Sequence, residues 1–214
     1  MAPIVSIVGR SKSGKTTLLE KLIVELKKRG YKVGTMKHTP LGMAWSDDDK
    51  DSQRHIKAGS EATIMVAPDK LVLIKPISEP ENLDEIARLF NEDCDIILAE
   101  GFKQGDAPKI EVHRKGVATP LKDVKKLFAI ATDEKLDTKV RQFALDDIKG
   151  IANLIEEGFI KPQKERLLFY VNDESIPLSA FPRDIITNVL LGIANSLKGV
   201  GIVKTLKIFL KRDD

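Results

Sequence analysis

The run Gly9-Arg10-Ser11-Lys12-Ser13-Gly14-Lys15-Thr16 satisfies G-x-x-x-x-G-K-[ST] at every fixed position. Residues of these types at this spacing bind phosphate. The glycines let the backbone curl so that successive amide hydrogens point inward around phosphate oxygens. A helix opening near Lys15 adds its positive dipole end. The Lys15 ammonium reaches the β- and γ-phosphates, the Thr16 hydroxyl ligates magnesium, and Thr17 carries the loop into the helix. A chance match in a glycine-containing turn would lack the right flanks. Here the loop separates an apolar run, residues 4–8, from a segment with Leu18, Leu19, Leu22, Ile23 and Leu26 at helical spacing.

Carboxylates that can serve such a loop occur at three places. Residues 95–99 read as a buried strand, with the apolar run Ile96-Ile97-Leu98-Ala99, that ends at Glu100-Gly101. At the C-terminal end of a parallel strand, Glu100 faces the crevice where ligands bind and can hold magnesium through a water or orient an attacking water. Aspartate is the usual residue there, and the extra methylene of Glu100 weakens the case for direct ligation; a solvated strand-end carboxylate is the plainer alternative. Asp47-Asp48-Asp49-Lys50-Asp51-Ser52 is an acidic run of the kind that normally forms a solvated face. Asp133 follows the apolar run 127–131, where a carboxylate can accept hydrogen bonds from guanine N1 and N2, a donor pair that adenine lacks. The Asn/Thr-Lys-x-Asp tetrad of guanine readers is absent, and a turn-forming Asp133 explains the residue equally well. His38, His55 and His113 are scattered and, with a single cysteine, make no zinc spacing.

The elements that must position these groups follow from periodicity and turn chemistry. Residues 4–8 read as a buried strand, and Gly30 ends the helix after the loop. Residues 32–37 read as the second strand, and the polar stretch 39–59 as a loop with a short helix. Residues 62–67 and 71–77 pair as a hairpin across Pro68-Asp69-Lys70. Asn82 and Glu85 resemble a capping box for a helix bearing Leu83, Ile86, Leu89 and Phe90. Ile110 and Val112 alternate with polar neighbours, as in an outer strand, and residues 127–131 form a further core strand. Asp146 or Asp147 caps a helix running to about residue 157. Beyond it, residues 167–171 read as a strand, 182–197 as an amphipathic helix and 202–210 as a strand. The fold class expected is α/β, a P-loop NTPase-type and mostly parallel sheet flanked by helices, over residues 1–160. A small α+β module, residues 161–214, follows it.

Bulk properties narrow the classes. With 214 residues, 42% hydrophobic and 31% charged, the chain is an ordinary globular protein. Lys and Arg number 26 against 26 Asp and Glu through residue 160, and 9 against 6 beyond it. No dense basic stripe suited to nucleic acid results. One cysteine suits a reducing compartment, no signal peptide is evident, and no apolar run approaches a membrane span. A cytoplasmic protein free of membrane is the expectation.

Several blocks in order resemble the MobB family of molybdopterin-guanine dinucleotide biosynthesis adaptors. They are the loop through Thr17, Met36-Lys37-His38-Thr39, Lys50-Asp51-Ser52 with Arg54 and Ala58-Gly59, Glu100-Gly101-Phe102-Lys103, Lys109-Ile110, and the strand end at residues 129–133. The resemblance covers about the first 157 residues. It implies GTP binding with magnesium, slow hydrolysis, a homodimer, and cooperation with a MobA-type guanylyltransferase that joins GMP to molybdopterin. It further implies that Asp51 is a switch-like residue near the metal, and that Lys37, His38 and Lys103 line the phosphate or molybdopterin side. Residues 161–214 depart from the shorter members.

Two other readings share the scaffold. A small-molecule or nucleotide kinase needs arginines over the transferred phosphoryl group, and Arg10, Arg54, Arg88, Arg114 and Arg141 form no arginine-rich lid. A pure binding module would hold nucleotide and molybdopterin for a partner without turnover.

Overall fold

The computed structural model describes residues 2–39, 50–77, 83–90, 94–117, 119–162, 167, 169–172, 174–176, 178–203, 206–208 and 210. The chain divides into two compact units, Met1–Pro162 and Gln163–Asp214.

In the first unit, β1 (Ile4–Val8) feeds the glycine loop, and α1 (Lys15–Lys28) leaves it. β2 (Val33–Lys37), α2 (Lys50–Lys57), β3 (Thr63–Val66), β4 (Leu71–Ile74) and α3 (Leu83–Arg88) follow. Then come β5 (Ile96–Glu100), β6 (Lys109–His113), β7 (Leu127–Thr132), β8 (Arg141–Ala144) and α4 (Ile148–Ile155). A π-helical turn, Glu156–Ile160, extends α4. Six strands form one parallel sheet in the order β2-β5-β1-β6-β7-β8. The expected hairpin is the antiparallel pair β3–β4, with Val66 paired to Leu71. β8 was not anticipated, because Arg141-Gln142-Phe143-Ala144 carries one fully apolar bulky residue and no alternation.

Two apolar layers cover the sheet. Leu18, Leu22 and Leu26 of α1 and Ile151, Ala152 and Ile155 of α4 pack with Val5, Ile7, Ile96, Leu98, Ile110 and Val112. Met36, Leu83, Ala87, Ile97, Ala99 and Phe102 form a second cluster. Asp147 caps α4 by accepting the Gly150 N–H at 2.9 Å, which settles the choice between Asp146 and Asp147. The expected capping box at Asn82 and Glu85 cannot be placed, since Asn82 lies outside the described residues.

The expectation for Ile110 and Val112 needs correction. β6 is an interior strand between β1 and β7, and all five of its residues are buried. Its polar residues are buried because they are partnered. Lys109 Nζ donates to the carbonyls of Gly105, Ala107 and Lys125, and Glu111 Oε1 accepts the Leu121 N–H at 2.7 Å. Alternation in this strand therefore marks an apolar face and a mostly partnered polar face, both covered; Glu111 Oε2 alone among these side-chain atoms has no hydrogen-bond partner among the described residues.

The second unit contains β9 (Tyr170–Val171), β10 (Glu174–Ser175) and α5 (Ala180–Ser196). The helix matches expectation. The strand expected over 167–171 is reduced to two residues paired antiparallel with β10. No strand occurs among the described residues of 202–210, where Ile202, Ile208 and Leu210 are exposed. A run of β-branched residues without a ladder partner gains no backbone hydrogen bonds from being extended.

Candidate functional site

The site sits at the C-terminal edge of the sheet, where the register aligns its residues. Lys37 pairs with Glu100, and Glu100 with Ile7, so the ends of β2 and β5 stand beside the strand that enters the loop. The chain builds the sheet first to one side of β1 and then to the other. The crevice above β1 thus lies where strand order reverses, the usual ligand position in open parallel sheets.

Gly9 is required by space as well as by conformation. A Cβ there would lie 2.5 Å from the Val112 carbonyl oxygen and 2.7 Å from Ser13 Oγ. Lys12 holds φ of 63° within the loop, a conformation that costs a non-glycine residue energy and that the surrounding turn enforces. Ser13 is buried, and its Oγ has no hydrogen-bond partner among the described residues. No side chain caps the first turn of α1, so its leading amides keep their donors for a ligand. An inward hydroxyl and uncapped amides around a turn too tight for a Cβ suit a phosphate group.

Charge converges beside this cradle. Thr16 Oγ1 donates to Glu100 Oε1 at 2.8 Å, and Lys37 Nζ stands 3.9 Å from Glu100 Oε2. Lys15 Nζ donates to the Arg10 carbonyl at 2.7 Å. Burial pushes the Lys15 ammonium below the ordinary lysine value; Glu100 opposes that shift, and the charges of Lys103 and Lys37 reinforce it. Three ammonium groups and one carboxylate thus act on each other here, with Lys15 feeling the charges of Glu100, Lys103 and Lys37. A polyanion placed among them relieves their mutual repulsion, and Thr16 with Glu100 offers a hydroxyl and a carboxylate to a hard divalent cation. No group of three or more His, Cys, Asp or Glu able to hold a metal occurs among the described residues. The donor set therefore fits a cation held mainly by phosphate oxygens and water, with protein supplying two ligands.

His38 joins the same edge. Its backbone N–H donates to the Glu100 carbonyl at 3.0 Å, and its ring lies 5.2 Å from that of Phe102. Lys103 follows Phe102, whose φ of 53° turns the chain sharply after Glu100-Gly101. Asp133 is brought in from the other side: it borders, with Ser13, Gly14, Thr17, Arg114 and Asp146, an open cleft of about 390 Å³. Its Oδ1 accepts the Lys115 N–H at 2.7 Å. A second cleft of about 490 Å³ contains Ser11, Lys12, Lys15, Thr16 and Glu100 and shares Gly14, Thr17 and Arg114 with the first.

Asp51 is not joined to this group. It opens α2 with its carboxylate 84% exposed, and its recorded partner is Arg54 at 3.3 Å on the same helix. Residues 40–49, which include Asp47, Asp48 and Asp49, lie outside the described residues. Sequence reasoning gave no site role to Asp146 or Arg114. Each follows a strand end within two residues, and the signal lies in strand order, since β6 and β8 had to be placed first.

The family described as "Molybdopterin guanine dinucleotide synthesis protein B", MobB, matches residues 4–133. The chain belongs to the MobB family. This MobB-family chain is 37% identical to the molybdopterin-guanine dinucleotide biosynthesis adapter protein of Haemophilus influenzae, over 72% of its own length and 88% of the relative's. A putative adapter protein of Methanocaldococcus jannaschii is 24% identical over 96% of each chain, so its match extends into the second unit. The crystal structure of a molybdopterin-guanine biosynthesis protein B superposes with a TM-score of 0.57 at 30% identity, covering 72% of this chain and 97% of that one. The MobB-type P-loop fold expected from the sequence is thus the fold found. No helix among the described residues is long and apolar enough to cross a membrane.

Proposed function

We propose that the chain binds magnesium-complexed GTP at its glycine loop, hydrolyses it slowly, and acts as a homodimeric cytoplasmic adaptor in the attachment of a guanine nucleotide to molybdopterin. A MobA-type guanylyltransferase is its proposed partner. The observation that carries this reading is the cluster at an uncapped helix start, where Thr16 donates to Glu100, Lys37 pairs with Glu100, and the charges of Glu100, Lys37 and Lys103 all act on Lys15, in a chain of the MobB family. Lys15 and the amides of residues 9–17 hold the phosphates. Thr16 and Glu100 hold the cation, which neutralises developing charge on the phosphate oxygens when bound. Glu100 also orients the attacking water. Asp133 reads the base from the neighbouring cleft, and Lys37, His38 and Lys103 face the molybdopterin or phosphate side; Asp51, apart from this group in the structure, is the switch-like residue that the family resemblance implies.

Calorimetric titration of GTP and ATP, with and without magnesium, tests the reading. Tighter binding of GTP, strengthened by magnesium, is the expected result, and Lys15→Ala is expected to weaken it at least tenfold, about 1.4 kcal/mol, in a protein that melts normally. A wild-type preference for ATP would overturn the guanine assignment. Unchanged curves for a folded Lys15→Ala protein would remove the phosphate site.

A further inference from the structure

The two strands beside β1 carry opposite charges to the phosphate loop. β5 ends in Glu100 on one side, and on the other the last residue of β6, His113, is followed directly by Arg114. Arg114 borders both the cleft that holds Lys15, Thr16 and Glu100 and the cleft that holds Asp133 and Asp146. Its guanidinium hangs over the loop: a Cβ built on Gly14 would stand 3.7 Å from Arg114 Nη2.

The backbone that delivers it is fixed by three contacts. His113, 4% exposed, pairs through Nε2 with Glu134 Oε1 at 2.7 Å, immediately before Arg114. Immediately after it, the Lys115 N–H donates to Asp133 Oδ1 at 2.7 Å. Further along, buried Glu111 of β6 accepts the Leu121 N–H at 2.7 Å, which holds the chain at that residue to the strand end that precedes Arg114. Among the described residues no carboxylate is paired with the Arg114 guanidinium. A permanently charged fork on a fixed stretch of backbone in the wall between two clefts, with no carboxylate partner among the described residues, is matched to phosphate oxygens.

We propose that Arg114 binds the phosphates nearest the nucleoside, at the junction of the two clefts, in a nucleoside di- or triphosphate. Position decides which phosphates. Lys15, Thr16 and Glu100 occupy only the cleft away from Asp133, where the terminal phosphate and cation belong, whereas Arg114 is common to both. The proposal rests on reading residues 9–16 as a nucleotide site and adds the residue that holds the nucleoside end of the phosphate chain. Planar, bidentate contact makes lysine a poor replacement.

The test titrates GTP, GDP, ATP and ADP into wild-type, Arg114→Ala and Arg114→Lys proteins, with thermal melts as the folding control. Arg114 is exposed, so both variants are expected to melt like wild type. For whichever base the wild type prefers, Arg114→Ala is expected to lose at least tenfold in affinity for diphosphate and triphosphate alike, and Arg114→Lys to recover only part. Equal affinities for wild type and Arg114→Ala, with the nucleotide site otherwise intact, would overturn the proposal and leave the site standing. A loss confined to triphosphates would overturn it too, by moving the contact to the terminal phosphate. A wild-type preference for ATP with the loss shared by ATP and ADP would sink the guanine reading while supporting Arg114. Absence of binding by all four nucleotides would overturn both.

Discussion

Thr16 and Glu100 share a hydrogen bond of 2.8 Å, and the two side chains can be separated by substitution. Thr16→Val keeps the shape and removes the hydroxyl, so the magnesium-dependent gain in GTP affinity is expected to fall at least tenfold, about 1.4 kcal/mol. Glu100→Gln keeps size and loses charge. Single-turnover hydrolysis is expected to slow at least tenfold, more than affinity falls, on the proposed role of the carboxylate in orienting the attacking water as well as holding the cation. Wild-type turnover in Glu100→Gln would leave Glu100 as a strand-end carboxylate that accepts the Thr16 hydroxyl and takes no part in hydrolysis. Asp133 is a second case. Its Oδ1 is engaged by the Lys115 N–H, which an asparagine oxygen can retain. Asp133→Asn therefore tests base choice with little cost to the loop: the preference for GTP over ATP is expected to shrink because one acceptor becomes a donor. An unaltered preference would leave Asp133 as a turn residue that braces the Lys115 backbone.

Secondary-structure elements are joined by a small number of strong side-chain contacts. The C-terminal end of α1 is tied to the end of α4 by Arg29, whose Nη1 reaches Glu156 Oε2 at 2.6 Å and Asn153 Oδ1 at 2.7 Å, and whose Nη2 reaches Glu25 Oε1 at 2.8 Å. Tyr31 donates to the other Glu156 oxygen at 2.9 Å. The hydrogen bond from Arg29, then that from Tyr31, holds the Glu156 carboxyl below its ordinary value of 4.5, and burial opposes them. A depressed folded pKa contributes stability that is present above the unfolded value and is lost as pH falls through the folded one. Glu156→Gln is expected to cost about 1–2 kcal/mol in urea denaturation at pH 7. That difference should narrow as the pH falls through about 4.5, where the unfolded carboxyl is half protonated while the folded one keeps its charge. A gap between wild type and variant that stays constant from pH 7 to pH 3 would show that the carboxylate charge is not what ties the helices.

For the chain as a whole, the boundary between units sets where it can be cut. Sequence periodicity put the end of the last core helix near Glu157, but the π-helical turn continues the packing. Ile160 is 7% exposed within the main cluster, and the Phe159 ring lies 5.1 Å from that of Phe128. A chain ending at Pro162 is expected to fold and bind GTP within about twofold of the full chain, about 0.4 kcal/mol, since every phosphate-site residue precedes it. Ending at Glu157 removes Phe159 and Ile160 and is expected to lower stability by about 2–4 kcal/mol, read by urea melts of the two fragments. Loss of GTP binding in a cooperatively melting 1–162 fragment would show that the second unit contributes to the site. In α5, Ile185, Val189 and Ile193 are about half exposed at 47%, 55% and 55%, so light-scattering mass of full and shortened chains belongs in the same experiment.

Local chemistry was legible in the residues alone. A glycine loop between an apolar strand and an amphipathic helix specifies its own geometry, because backbone amides, φ values and a helix start are all short-range consequences of sequence. Glu100 was readable for the same reason, as a carboxylate ending a wholly apolar strand. The neighbours of β1 were not readable, because parallel pairing joins segments about 90 residues apart, as Ile7 with Glu100, and no local pattern encodes which strands will meet. That long-range choice put β6 inside the sheet, where Lys109 and Glu111 are buried with backbone partners instead of facing water. It also delivered Arg114 to the wall between two clefts. Alternating polarity reports whether a face needs partners, and only the folded chain supplies them, from loops as well as from solvent.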